Sequence, residues 1–254
     1  MDRREAVLRE LNLYPQWKLR GGSGAATGQP AAPSLCEPVA PVQAVASAPE
    51  AAVEPEITTG SEQRREQIIS ELGWPALKTM VRDCTACQLR AGCTQTVFGV
   101  GDEQADWLFV GEGPGADEDA QGEPFVGQAG KLLDNMLLAI QLKRGKKVYI
   151  ANIVKCRPPN DRTPERDEIA TCLPYLQRKV ELIKPKLIVA LGKTAANALL
   201  GKDAALGSLR GKLHDFNGIP LLITYHPAYL LHSPMEKAKV WQDLCFATEV
   251  MRKL

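Results

Sequence analysis

The sequence predicts an α/β fold: a three-layer α/β/α sandwich around a central four-stranded parallel sheet, preceded by a disordered N-terminal extension. Three observations predict it. Four short runs are continuously apolar rather than alternating, as strands buried on both faces must be. Longer segments with helical periodicity separate those runs, which implies parallel pairing through crossovers. Residues 21–60 hold no Lys or Arg, six Pro and four Glu, a composition that cannot bury enough apolar surface to offset its ordering entropy.

The elements follow in order. Residues 1–20 read as a short amphipathic helix with Val7, Leu8 and Leu11 at helical spacing, ending in an aromatic segment. Residues 21–60 read as a disordered Ala/Pro-rich tether, and residues 61–254 as the folded domain. A polar helix over Ser61–Leu72 opens the domain, with Ser61 as its N-cap. Strands are expected at Trp107–Val110, Val148–Val154, Leu187–Leu191 and Leu221–Thr224. Helices are expected at Ala129–Leu142, Pro164–Ile183, Thr194–Leu200 and Glu236–Arg252, with Thr163 and Pro164 as an N-cap and first helical residue.

Composition narrows the function classes. The 254 residues carry 31 Lys+Arg against 30 Asp+Glu, a net charge of +1, so any nucleic-acid contact must come from local patches. No run of about 18 apolar residues is present, so no transmembrane helix is expected. MDRREAVLRE lacks the apolar stretch of a secretory signal, so a cytosolic setting is expected. Seven cysteines in that setting argue against a disulfide framework.

Ligands of parallel sheets bind beyond the strand carboxyl ends. The first strand runs into Gly111-Glu112-Gly113-Pro114-Gly115, a sharp turn that lets backbone approach a ligand, followed by Asp117, Glu118 and Asp119. It is no phosphate loop, because the Lys-Ser/Thr ending is missing and the carboxylates would repel phosphate. Gly122-Glu123-Pro124-Phe125-Val126-Gly127 holds an aromatic between turn residues, where its ring could face a planar ligand; a core position is the alternative. Asn152 stands in an apolar strand, where an unpaired amide would cost about 1–3 kcal/mol. Its side chain offers a donor and an acceptor side by side, suited to the amide-like edge of a base. His226, one of three histidines, ends the last strand.

The cysteines Cys84, Cys87, Cys156 and Cys172 have the spacing C-x2-C-x68-C-x15-C. Four thiolates bind Zn²⁺ or an iron–sulfur cluster, and the spacing leaves both open. Cys245 and Cys93 read as ordinary thiols.

In order, CTAC, VGEGPGADEDAQGEPFVGQAG, NIVKCRPPNDRTP and HPAYLL resemble the family-four, iron–sulfur uracil-DNA glycosylases of the uracil-DNA glycosylase superfamily, over about residues 78–250. The resemblance implies a monomeric, cytoplasmic, nucleoid-associated DNA repair enzyme of bacterial type. It would flip uracil out of DNA and hydrolyse its N-glycosidic bond. It implies a [4Fe–4S] cluster on Cys84, Cys87, Cys156 and Cys172. It also implies that Gly113 contacts the base through its backbone, Phe125 stacks on uracil, Asn152 reads the N3–H and O4 edge, and His226 donates toward O2. Glu118 would then reject the 5-methyl of thymine, and Glu112, where another branch carries Gln, is the candidate for positioning water. The chain departs from the family at Asp161, usually Asn, and at His232, usually Arg. Arg157, Arg162, Lys193, Arg210 and Lys212 are candidates for contacting the DNA backbone. A covalent uracil-binding branch is disfavoured, because no basic insertion precedes the last strand. Separately, LRELNLYPQWKLR resembles the N-terminal peptide of the psi subunit of the bacterial clamp loader, which binds the chi subunit. That resemblance implies a replication partner for residues 1–20, with Trp17 as anchor.

Overall fold

The computed structural model describes residues 58–254. The expectations for residues 1–20 and for most of 21–60 lie outside the described residues. Helix α1 (Thr58–Glu71) begins earlier than expected, so Thr58–Gly60 belong to it rather than to a tether, and Ser61 lies in its first turn instead of capping it. Helices α2 (Trp74–Arg82) and α3 (Leu89–Gly92) follow, flanking Cys84 and Cys87.

The sheet has six strands, not four. The chain runs β1 (Val100–Gly101), β2 (Trp107–Gly111), α4 (Ala116–Gln121), α5 (Gln128–Ala139) and β3 (Val148–Asn152). It continues through α6 (Arg166–Ile183), β4 (Leu187–Leu191), α7 (Lys193–Leu200), α8 (Leu206–Leu209), β5 (Leu213–Phe216) and β6 (Ile219–Thr224), and closes with α9 (Pro227–His232) and α10 (Lys237–Met251). The spatial order is β1-β3-β2-β4-β6-β5. The inner four strands are parallel, and these contain the four apolar runs. The two extra strands pair antiparallel at the edges. They escape pattern reading for a physical reason: β1 is two residues long, and β5 places His214 and Asp215 on an exposed edge that needs no apolar run. A hairpin signal was nevertheless present, because Asn217-Gly218 joins β5 to β6 with φ of 52° and 82°, as a primed two-residue turn requires.

Residues of β2 alternate between two cores. Leu108 and Val110 pack with α1, α2, α6 and α7, while Trp107 and Phe109 pack with α5, α9 and α10. Helices therefore cover both faces of the sheet, and strands β2, β3 and β4 are buried throughout. Helix α6 begins at Arg166, so Thr163 and Pro164 lie before it and do not cap it. Glu165 is the N-cap instead, and Glu168 in the first turn accepts from its amide at 2.8 Å and from Arg162 at 2.9 and 2.7 Å. Among the described residues, no helix is long and apolar enough to cross a membrane.

Candidate active site

Register brings the strand ends together. Gly111 pairs with Asn152 across β2 and β3, and Leu191 with Thr224 across β4 and β6. Beyond that edge lies a cleft of about 390 Å³ whose wall includes Glu112, Gly113, Glu118, Phe125, Asn152 and His226. Six residues expected from the sequence to share one site thus do so.

Each is held by local chemistry. The turn after β2 enters α4 through a capping box: Glu118 Oε2 accepts from the Gly115 amide at 3.1 Å. The other oxygen, Oε1, accepts from the Val126 and Gly127 amides at 2.9 and 3.0 Å. Glu118 therefore ties together the two loops of the cleft as well as lining it. Phe125 is buried with φ of 56°, a left-handed conformation that is rare for an aromatic residue. Its ring lies 5.4 Å from the His226 ring, tilted by 33°.

Asn152 is 2% exposed, and its Oδ1 is buried with no hydrogen-bond partner among the described residues. A buried orphan acceptor costs about 1–3 kcal/mol, so it calls for a donor from water or from a ligand in the cleft. His226 caps α9, its Nδ1 accepting from the Ala228 amide at 3.2 Å. That bond leaves the ring proton on Nε2. Burial lowers the imidazole from 6.5 to about 4, against a smaller upward pull from Glu118, so the ring is neutral at physiological pH.

Two residues named in the sequence have contacts at the cleft that it does not show. An ideal Cβ on Gly111 would stand 2.5 Å from Phe125 Cζ and 2.6 Å from Asn152 Oδ1. Only glycine there lets ring and amide converge, and the signal was its place as the last residue of an apolar strand. Asp161 lines the cleft with φ of 54°, and both its oxygens are held by Arg157 at 2.7 and 3.0 Å. That bond to Arg157 keeps the Asp161 carboxyl below its usual range.

The expected phosphate-binding cations are mostly engaged within the protein. Arg162 is paired with Glu168, and Lys193 with Asp203. Arg210 is paired with buried Asp243 at 2.7 Å, and Asp243 also accepts from Thr224 Oγ1 at 2.6 Å. Arg210 thus braces the end of β6. A second groove, lined by Arg166, Lys193 and Lys202, adjoins the cleft through Glu112 and His226.

Cys84, Cys87, Cys156 and Cys172 share the wall of another cavity. Among the described residues, no three His, Cys, Asp or Glu side chains stand close enough to hold one metal ion. The thiols of Cys87 and Cys156 are pushed upward, mainly by burial. Beside them lie Lys155 and Lys179, both fully buried. Lys155 Nζ donates to the Asn152 and Ile153 carbonyls, and Lys179 Nζ to that of Phe98. Neither lysine has a carboxylate partner among the described residues. Burial disfavours the charged form of both lysines when no counter-charge is present, so a donor set of four thiols beside them fits a centre of net negative charge.

Comparison with known proteins gives the same direction. The uracil DNA glycosylase superfamily profile matches residues 98–245. The chain is 42% identical over 176 residues to a type-4 uracil-DNA glycosylase of Pyrobaculum aerophilum, covering 66% of this chain and 89% of that protein. It is 43% identical over 171 residues to one from Saccharolobus solfataricus, covering 64% and 79%. It is 42% identical over 177 residues to one from Thermotoga maritima, covering 68% and 92%. With the strand-end cleft and the matched motifs in one chain, it belongs to the uracil-DNA glycosylase superfamily, in its type-4 branch.

Proposed function

We propose that this protein is a hydrolytic, monofunctional uracil-DNA glycosylase that initiates base excision repair. The observation that carries the reading is the orphan Oδ1 of Asn152, buried beside the Phe125 ring and the neutral His226. Uracil in a duplex is inaccessible, so its nucleotide must be turned out into the cleft. Asn152 Oδ1 then accepts from N3–H while the amide nitrogen donates to O4. Cytosine reverses donor and acceptor at that edge and would leave the buried amide mismatched. Phe125 stacks on the ring, the Gly113 backbone contacts it, and Glu118 faces C5, where a thymine methyl would intrude.

Cleavage breaks the bond between the sugar C1′ and N1, and the electron pair leaves with uracil. His226 Nε2–H donates to the O2 that gains charge, and one such donor contributes about 2.7–4 kcal/mol. Glu112 positions the water whose oxygen bonds to C1′ as the sugar gains positive charge; the water's proton passes through solvent to the released uracil anion, leaving an abasic site. No second carboxylic acid is needed for the leaving group, because uracil departs as a stabilised anion.

Cys84, Cys87, Cys156 and Cys172 would hold a [4Fe–4S] cluster. When bound, it supplies a cross-link between the segment after α2, the end of β3 and helix α6. The DNA strand follows the groove of Arg166, Lys193 and Lys202, its phosphates displacing the exposed Lys193–Asp203 pair, so excision falls as salt rises. Residues 61–254 lie within the glycosylase domain, which helix α1 extends back to Thr58, and residues 21–57 form a tether. Residues 1–20 dock a replication protein of the chi type. The protein acts as a cytoplasmic, nucleoid-associated monomer.

The test is incubation of the purified, full-length protein with an oligonucleotide containing one uracil, followed by alkaline cleavage. A break at uracil and none at cytosine or thymine is expected. An intact strand after treatment with cofactor-loaded protein refutes the reading.

A further inference from the structure

We propose that Arg144, which lies outside the cleft, is the positioning residue that holds the Phe125 ring at stacking height for the base. The proposal rests on the uracil reading of the cleft. Phe125 occupies a left-handed backbone conformation, with φ of 56°. Such strain persists only where the surroundings over-determine it.

Here they do so on both sides. Arg144 Nη1 donates to the Pro124 carbonyl and Nη2 to the Phe125 carbonyl, each at 2.8 Å. Those two carbonyls bracket the Phe125 Cα. One planar guanidinium therefore fixes the peptide planes before and after the ring-bearing residue, and with them φ and ψ. The Arg144 Nε donates to Asp134 on α5 at 3.0 Å, which anchors the fork to a helix. The fork is delivered from a tight turn, closed by a bridge between Lys143 and Lys146 with Gly145 at φ of 78°. Helix α5 also presses its backbone on the same carbonyl: a Cβ on Gly130 would stand 1.8 Å from Phe125 O. On the far side, Glu118 holds the next two amides.

Rotation of either peptide plane would swing the ring relative to His226 and change the height of the slot. Arg144 thus acts on uracil through Phe125 and touches neither base nor phosphate. A lysine cannot replace it, because a point charge does not span two carbonyls as a planar fork does.

The test compares wild type, Arg144→Ala, Arg144→Lys and Asp134→Asn, all full-length and cofactor-loaded. Four quantities are measured: single-turnover excision, inhibition by free uracil, affinity for uracil-free duplex and thermal unfolding. Arg144→Ala should lose up to about a hundredfold in rate. Its inhibition by free uracil should weaken in parallel, with duplex affinity unchanged. Arg144→Lys should recover only part of the loss, and millimolar guanidinium should partly rescue Arg144→Ala alone. Wild-type rate and uracil inhibition in Arg144→Ala overturn the proposal, as does a slow variant whose uracil inhibition is unchanged. If Arg144→Ala does not fold, Asp134→Asn carries the test, since its side chain is 45% exposed. A severalfold weaker uracil inhibition supports the proposal there, and no change overturns it. A wild type that releases no uracil refutes the underlying reading instead, so the two failures are distinct.

Discussion

Replacing Gly111 with alanine adds one methyl group at the point where the Phe125 ring and the Asn152 amide converge. The new carbon would stand 2.5 Å from Phe125 Cζ and 2.6 Å from Asn152 Oδ1. Comfortable non-bonded contact lies near 3.5 Å, so both groups must retreat by about 1 Å. The backbone at Gly111 is not left-handed, so an L-residue adopts it without strain and the perturbation is steric alone. Neither neighbour can move freely: Phe125 sits in a braced turn, and Asn152 ends a fully buried strand. Overpacking of this kind costs about 1–3 kcal/mol of stability. A displacement of about 1 Å at reacting groups costs up to about a hundredfold in rate. Single-turnover excision of uracil from a labelled oligonucleotide measures the second effect, and thermal unfolding the first. A Gly111→Ala protein that excises uracil within twofold of wild type would refute the claim that ring and amide jointly form the base slot.

Asn152→Ala deletes the orphan acceptor, so excision should fall by about 10–100-fold while the free protein keeps its thermal midpoint, being relieved of an unpaired buried oxygen; an unchanged rate counts against the edge-reading role. Folding stability should depend on His226. Its folded value of about 4 lies below the ordinary 6.5, so between these values the unfolded chain binds the extra proton. The contribution is fully present above pH 6.5 and is lost as pH falls toward 4. It approaches about 3 kcal/mol, and the acid slope of the thermal midpoint should flatten in His226→Asn; identical slopes would contradict it. Cys84→Ala should lose the visible absorbance of the proposed cluster and lower the thermal midpoint well beyond the loss of one half-buried thiol; retained colour would remove Cys84 from the proposed ligand set.

The inner architecture was legible because its cause is local. Leu187–Leu191 reads as a buried parallel strand, since every residue there must be apolar when helices cover both faces. The edge strands were not legible from that signal, since β5 leaves Leu213 and Asp215 exposed, and only the Asn217-Gly218 turn marked it. Thr163-Pro164 satisfied a capping rule and still lay outside α6, because the cap forms two residues beyond Thr163, at Glu165, whose amide Glu168 accepts.

By itself the sequence determined the class of fold, the strand ends where chemistry would gather, and the ordered motifs that assign Asn152, Phe125, His226 and the four cysteines to their superfamily. Those are properties of residue type and spacing along one chain. Only the tertiary structure decided what sits across space from what. It left Asn152 Oδ1 without a partner among the described residues, set Gly111 between ring and amide, engaged Arg210 with Asp243 rather than leaving it free for phosphate, and brought Arg144 onto the carbonyls of Pro124 and Phe125. Arg144 lies 19 residues beyond Phe125 along the chain, and no local pattern encodes that approach. It follows from packing α5 against the sheet, where a left-handed aromatic residue needs its peptide planes held from outside.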